Sequence, residues 1–144
     1  MDLDRLHHSL AVANKMIKIG KSLEMSNDAL QDLFILGFVH DIGYDFSDDI
    51  IKHNEVGGEI LRKNQYKYWR EVYNHGNPNS EYNSLYLLIL NMADMQVDKF
   101  GEDVGYIERL KDIELRYGRD SFQYINSSLV VERCKTEFDE FLKN

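Results

Sequence analysis

Proline is almost missing from this sequence: Pro78 stands alone among 144 residues. Proline removes a backbone donor and clashes inside a helix, so its scarcity permits long uninterrupted helices. Cysteine is equally rare. Cys134 is single, which excludes an internal disulfide and asks for no oxidising compartment. Long hydrophobic runs are absent too; the longest, such as residues 34–39 and 85–90, are too short to cross a bilayer. The opening MDLDRLHHSL has neither the basic start nor the apolar stretch of a secretory signal. A cytoplasmic protein that does not engage a membrane is the expectation. Basic residues are outnumbered, 17 Lys and Arg against 25 Asp and Glu, for a net charge of -8. Such a surface repels phosphate backbones and argues against a nucleic-acid partner. An anionic ligand would therefore need a local source of positive charge, and bound metal ions are one such source.

The length suits one domain with one core, taken here as residues 1–144. No repeat or low-complexity tract divides it. Apolar residues recur at helical spacing rather than in alternation. Leu3, Leu6, Leu10, Ala13 and Ile17 form a stripe on a first helix that Gly20 would end. Ser26, Asn27 and Asp28 can cap a second helix, from about residue 29 to 41, with Leu30, Leu33, Phe34, Leu36 and Gly37 inward. Residues 42–51 read as a loop. Helices are expected over about 55–63, 67–75, 84–98 and 106–117, and a last one from Ser121 towards Leu142. The 76–83 stretch, rich in Gly, Asn and Pro, reads as a surface loop. The fold class expected is all-α, a compact bundle of about six to seven helices.

The histidines are few and informatively placed: His7, His8, His40, His53 and His75. His8 sits in an apolar helix. His40-Asp41 closes another, just where the chain turns. His53 begins a third and His75 ends a fourth. Asp94 lies in the most apolar helix of all, where an unpaired charge is costly to bury. Imidazole nitrogens and carboxylate oxygens are good ligands for divalent transition metals, and a bundle can bring ligands from several helices to its interior. Each residue alone has a plainer reading. Asp41 could be a turn residue, Asp94 could pair with a lysine or arginine, His53 could be an ordinary surface group, and His75 could complement a helix C-terminus. His7 has only the plain reading. The ordered set is what carries weight.

That order, His8, then His40-Asp41, then Asp94, resembles the HD superfamily of metal-dependent phosphohydrolases. Arg5-Leu6-His7-His8-Ser9 looks like its first motif, Leu36-Gly37-Phe38-Val39-His40-Asp41-Ile42-Gly43 like its central one, and Ala93-Asp94-Met95 like its last. His53 with Gly57-Gly58, and Val72-Tyr73-Asn74-His75, resemble the segments that add histidines in two-metal members. The likeness covers residues 5 to 98 well. From Gly101 on, Arg109-Leu110-Lys111-Asp112-Ile113 and Arg116-Tyr117-Gly118 resemble some small members.

The resemblance implies a division of labour. His8, His40, Asp41 and Asp94 would hold a first divalent metal, and Asp41 with His53 and His75 a second, so that one or two ions are expected. Iron, manganese and magnesium all come into question, and the histidine-rich second set favours a transition metal. His40 and Asp41 would be the catalytic pair. The activity implied is hydrolysis of a phosphoester or phosphoanhydride of a nucleotide or other small phosphorylated molecule, by metal-activated water. Arg5, Tyr44 and Asp98 are candidates for supporting the ligands or touching substrate; Asp98 would share a helix face with Asp94 if that helix continues.

One departure stands out. Several two-metal members carry lysine where Tyr44 follows the His-Asp-x-Gly run, and tyrosine carries no positive charge. Lys52, Arg62 and Lys63 are the nearby cations. A metal-nucleotide sensor without turnover is the alternative reading, and a purely structural helical domain the third. Tyr44, Phe46, Tyr66, Tyr68, Trp69 and Tyr73 could stack on a base or belong to the core. An apolar face on the last helix would suit a homodimer.

Overall fold

The computed structural model describes residues 2–47 and 52–143. Among the described residues the regular elements are seven α-helices and one 3-10 turn, with an isolated bridge between Val97 and Asp103. The helices are α1 (Leu3–Ser22), α2 (Asn27–Val39), α3 (His53–Lys63), α4 (Trp69–Asn74), α5 (Leu85–Asp94), α6 (Gly105–Tyr117) and α7 (Phe122–Lys143), and the 3-10 turn covers Ile42–Asp45. The chain is an all-α bundle, as its periodicity implies. The part of the 42–51 loop reading that falls on 48–51 lies outside the described residues.

Local signals start most of these helices. Asp2 caps α1 by accepting from the Arg5 amide at 2.8 Å, and Ser26 caps α2 by accepting from the Ala29 amide at 3.2 Å. Ser84 and Ser121 do the same for α5 and α7. Gly118, at φ 94, ends α6.

α1 differs from the expected stripe. Its buried face is Ser9, Val12, Ala13, Met16 and Gly20, with His8 beside it, whereas Leu3 is exposed and Leu6 and Leu10 are half-buried. Gly20 does not end the helix. It lies under Leu30 and Leu33 of α2, where a Cβ would come within 2.7 Å of a leucine methyl. The stop comes after Ser22, where Glu24 takes φ 60. Gly37 has the same packing role: its absent Cβ would lie 2.6 Å from the Cα of Ala13, so α1 and α2 pack backbone to backbone.

α5 is central because it is apolar all round. Ile89, Leu90 and Ala93 join Val12, Met16, Leu33, Leu36 and Val72 in one core cluster. Leu88 and Met92 join Ile113, Val130, Val131 and Cys134 in a second, under α6 and α7. Each fully buried aliphatic side chain contributes roughly 1.5–3 kcal/mol. α5 therefore locks the N-terminal helices to the C-terminal pair.

The expected 84–98 helix stops at Asp94. The Asp98 carboxylate accepts from the amides of Phe100 and Glu102, both at 2.9 Å. This local turn competes with helix hydrogen bonding and wins. Asp98 is consequently not on the helix face of Asp94. The expected 67–75 helix is also shorter, since Gln65 at φ 62 turns the chain out of α3 and α4 begins only at Trp69.

Candidate metal centre

Two helices end in the same device. The last carbonyls of a helix lack intrahelical donors. His40 follows α2 and donates from Nδ1 to the Gly37 carbonyl at 2.6 Å; His75 follows α4 and donates from Nδ1 to the Val72 carbonyl at 2.5 Å. His8, within α1, donates from Nδ1 to the backbone carbonyl of Asp98 at 2.8 Å. A carbonyl only accepts, so each Nδ1 carries the hydrogen and each Nε2 is left to face inward. Capping a helix end and serving a site are not alternatives for His75, because they use different nitrogens.

The inward nitrogens converge on two carboxylates. His8 Nε2 lies 2.9 Å from Asp94 Oδ1 and 3.6 Å from Asp41 Oδ2. His40 Nε2 lies 3.2 Å from Asp41 Oδ2 and 3.3 Å from Asp94 Oδ1. The other Asp41 oxygen, Oδ1, faces His53 Nε2 at 3.3 Å and His75 Nε2 at 3.4 Å. The donor atoms thus fall into two groups that share Asp41: His8, His40, Asp41 and Asp94, and Asp41, His53 and His75, each within 4.8 Å.

This arrangement fits a cation. His40 Nε2 and His75 Nε2 are buried and have no hydrogen-bond partner of acceptable geometry. In a neutral ring whose Nδ1 carries the hydrogen, Nε2 is a lone pair, and a lone pair against a carboxylate oxygen is repulsive. Something positive must lie between them. At His40, without a metal, that charge is a proton: burial works against a charged His40, but Asp41 and Asp94 outweigh it and raise its pKa well above the ordinary value. Burial likewise opposes the charge on both carboxylates, and His40 above all reverses this, holding them well below the usual carboxylate range. His75 goes the other way. Burial, unmatched by the pull of Asp41, lowers its pKa. The mixed oxygen and nitrogen donor set suits a divalent ion.

Gly43 makes the second group attainable. A Cβ there would sit 1.8 Å from the His53 carbonyl oxygen, so only glycine lets the 3-10 turn pack against the first turn of α3. Tyr44 follows and stacks on His53, with ring centroids 4.0 Å apart. Burial first, then the charges of Asp41 and Asp94, push the Tyr44 phenol up, so it stays neutral.

The centre lies in a cleft of about 820 Å³. Among the described residues, the cations Arg5, Lys52, Lys99, Arg109 and Arg116 line it, together with the carboxylates of Asp2, Asp4 and Glu55. Arg62 is turned away and paired with Glu59 at 2.8 Å; Lys63 is exposed. Of the aromatic residues considered for base stacking, Tyr44 lines the cleft, while Tyr66 and Tyr68 pack on the core. Tyr117 and Phe122 line it as well.

The structure brings together all six candidate ligands. Arg5 and Tyr44 stand beside them. Asp98 touches His8 through its backbone carbonyl, not its carboxylate. His7 is exposed and takes no part. Residues missed from sequence are those that hold the loop after His75: the Asn91 side chain accepts from the Gly76 amide at 2.9 Å, and Asn126 donates to the Gly76 carbonyl at 2.8 Å. Arg133 bonds the Pro78 carbonyl at 3.0 Å and also the Asn83 side chain. No spacing signal announces such contacts, because they span the fold.

The HD domain family model matches residues 5–113. That stretch contains all six residues of the two groups and ends inside α6. No curated protein and no solved structure matches the chain.

Proposed function

The chain belongs to the HD domain family, and from that premise we propose that it is a metal-dependent phosphohydrolase acting on a small phosphorylated molecule, a nucleotide being the first choice. His8, His40, Asp41 and Asp94 hold one divalent ion, and Asp41, His53 and His75 hold a second. Such ions lower the pKa of water and neutralise charge that develops on a phosphoryl group. A transition metal suits the imidazole-rich second set better than magnesium does.

The observation that supports this reading best is Asp41, whose two oxygens face separate imidazole groups. A carboxylate so placed can bridge two ions. The chain's own residues do the rest. The carbonyls of Asp98, Gly37 and Val72 fix three imidazole tautomers, which is how outer partners orient ligands. With ions neutralising Asp41 and Asp94, the cleft cations would outweigh Asp2, Asp4 and Glu55 and favour an anionic substrate there. Among the described residues, no helix is long and apolar enough to cross a membrane.

A phosphate-release screen over nucleotides and simple phosphomonoesters, with iron, manganese and magnesium each added back, tests the proposal. Turnover of at least one substrate that depends on the added metal is expected. Tight nucleotide binding with no release under any metal would turn the reading to a sensor.

A further inference from the structure

We propose that Arg5, held on the ring of Tyr44, forms an anion subsite beside the metal-ligand cluster and takes a non-bridging oxygen of a phosphoryl group. This rests on the phosphohydrolase reading and adds to it the residue that meets the substrate's charge.

The geometry is a three-layer stack. The Arg5 guanidinium carbon lies 3.6 Å from the Tyr44 ring centroid. At that distance the planar group fits only face-on, the usual way arginine meets an aromatic ring. The His53 imidazole lies on the same ring at 4.0 Å and 12°. Two groups stacked this closely cannot share one face, so Tyr44 is sandwiched between them. His53 in turn faces Asp41. The stack therefore ties the position of a fixed positive charge to the cluster itself.

Arg5 has little else to hold. Its nearest carboxylate, the well-exposed Asp2, is 3.7 Å from Nε. Its Nη1 is buried and has no hydrogen-bond partner, so a ligand in the cleft meets the part of the guanidinium that is exposed there. The side chain lines the cleft, and a guanidinium fork matches the oxygens of a phosphoryl group. Tyr44 stands where a lysine would bring charge on the 3-10 turn. It brings none, but gives α1's arginine a ring to lie on, so the charge arrives from another element.

The test is calorimetric titration of inorganic phosphate into metal-loaded wild-type protein and into Arg5→Gln, Arg5→Lys and Tyr44→Leu, with metal content and thermal midpoint measured for each. Lys111→Gln, an exposed change of equal charge outside the cleft, is the control. Phenylphosphonate, whose carbon–phosphorus bond does not hydrolyse, is titrated in parallel to stand for the substrate, as phosphate stands for the product. Arg5→Gln should weaken both ligands by on the order of 10-fold to 100-fold, with metal content unchanged. Arg5→Lys should fall between, Tyr44→Leu should weaken both ligands, and the control should match wild type. Weakening of one ligand alone would assign the subsite to substrate or product accordingly. Arg5→Gln that binds both ligands like wild type, or that loses metal in step with them, overturns the inference while leaving the phosphohydrolase reading intact. Wild-type protein that holds no metal overturns both.

Discussion

Asn126, on α7, donates from Nδ2 to the carbonyl of Gly76 at 2.8 Å, across 50 residues of sequence. Gly76 directly follows His75, and its amide is held at the same time by Asn91 of α5. The second histidine group is thus positioned by a helix that lies beyond the family match. Replacing Asn126 by Ala removes one hydrogen bond to a half-buried carbonyl, and should cost about 0.5–1.5 kcal/mol of stability. It should also weaken metal at the His53 and His75 group by roughly 10-fold to 100-fold, while the group built on His8, His40 and Asp94 keeps its ion. Metal titration followed by thermal unfolding checks both parts.

Gly43→Ala should separate fold from site. The new Cβ would meet the His53 carbonyl oxygen, so the start of α3 must move. The core of α1, α2 and α5 does not involve Gly43. Circular dichroism should show a helical protein, and metal analysis should show a deficit at the group containing His53. Full metal content in this variant would contradict the placement of His53.

The metal-free protein should have an unusual pH profile. The raised His40 pKa means that the folded state binds a proton more tightly than the unfolded state does. That contribution is complete below the ordinary histidine value and is lost as pH rises through the raised one. Asp41 and Asp94, held low, keep their side of the contact until pH falls below the usual carboxylate range. Chelator-treated protein should therefore lose thermal stability between neutral and alkaline pH. Metal-reloaded protein should not, because the ion replaces the proton. Calorimetric scans of both forms give the comparison.

Cys134 should be inert in the native state. It is buried in the second core cluster, and burial, with a smaller contribution from Glu137, pushes its thiol up to about 12. The thiolate is the reactive form. Iodoacetamide at pH about 8 should leave native protein unmodified and label it in denaturant, as mass spectrometry would show.

Much of this was legible from residues alone, and the reasons differ by element. His8 and Asp94 stand out because histidine and aspartate are out of place in apolar helices, whereas the full set of six was legible only through its order and its likeness to the HD motifs. Two helix starts could be read from Ser26 and Ser121, whose capping is local; Asp2 and Ser84 cap in the same way without having been singled out. Gly20 misled because a glycine that permits close packing looks the same in sequence as one that ends a helix. Asp98 misled because its carboxylate closes a turn, so only its carbonyl reaches His8. The partnership of Arg5 with Tyr44, and of Asn126 with Gly76, had no local signature. Tertiary packing alone creates those pairs.

The most direct test of the account is the metal content and phosphate release of Asp41→Ala beside wild type. Asp41 is shared by both ligand groups, so its loss should empty both and abolish hydrolysis, in a protein that remains helical. An Asp41→Ala protein that keeps its full metal content and its activity would contradict the account.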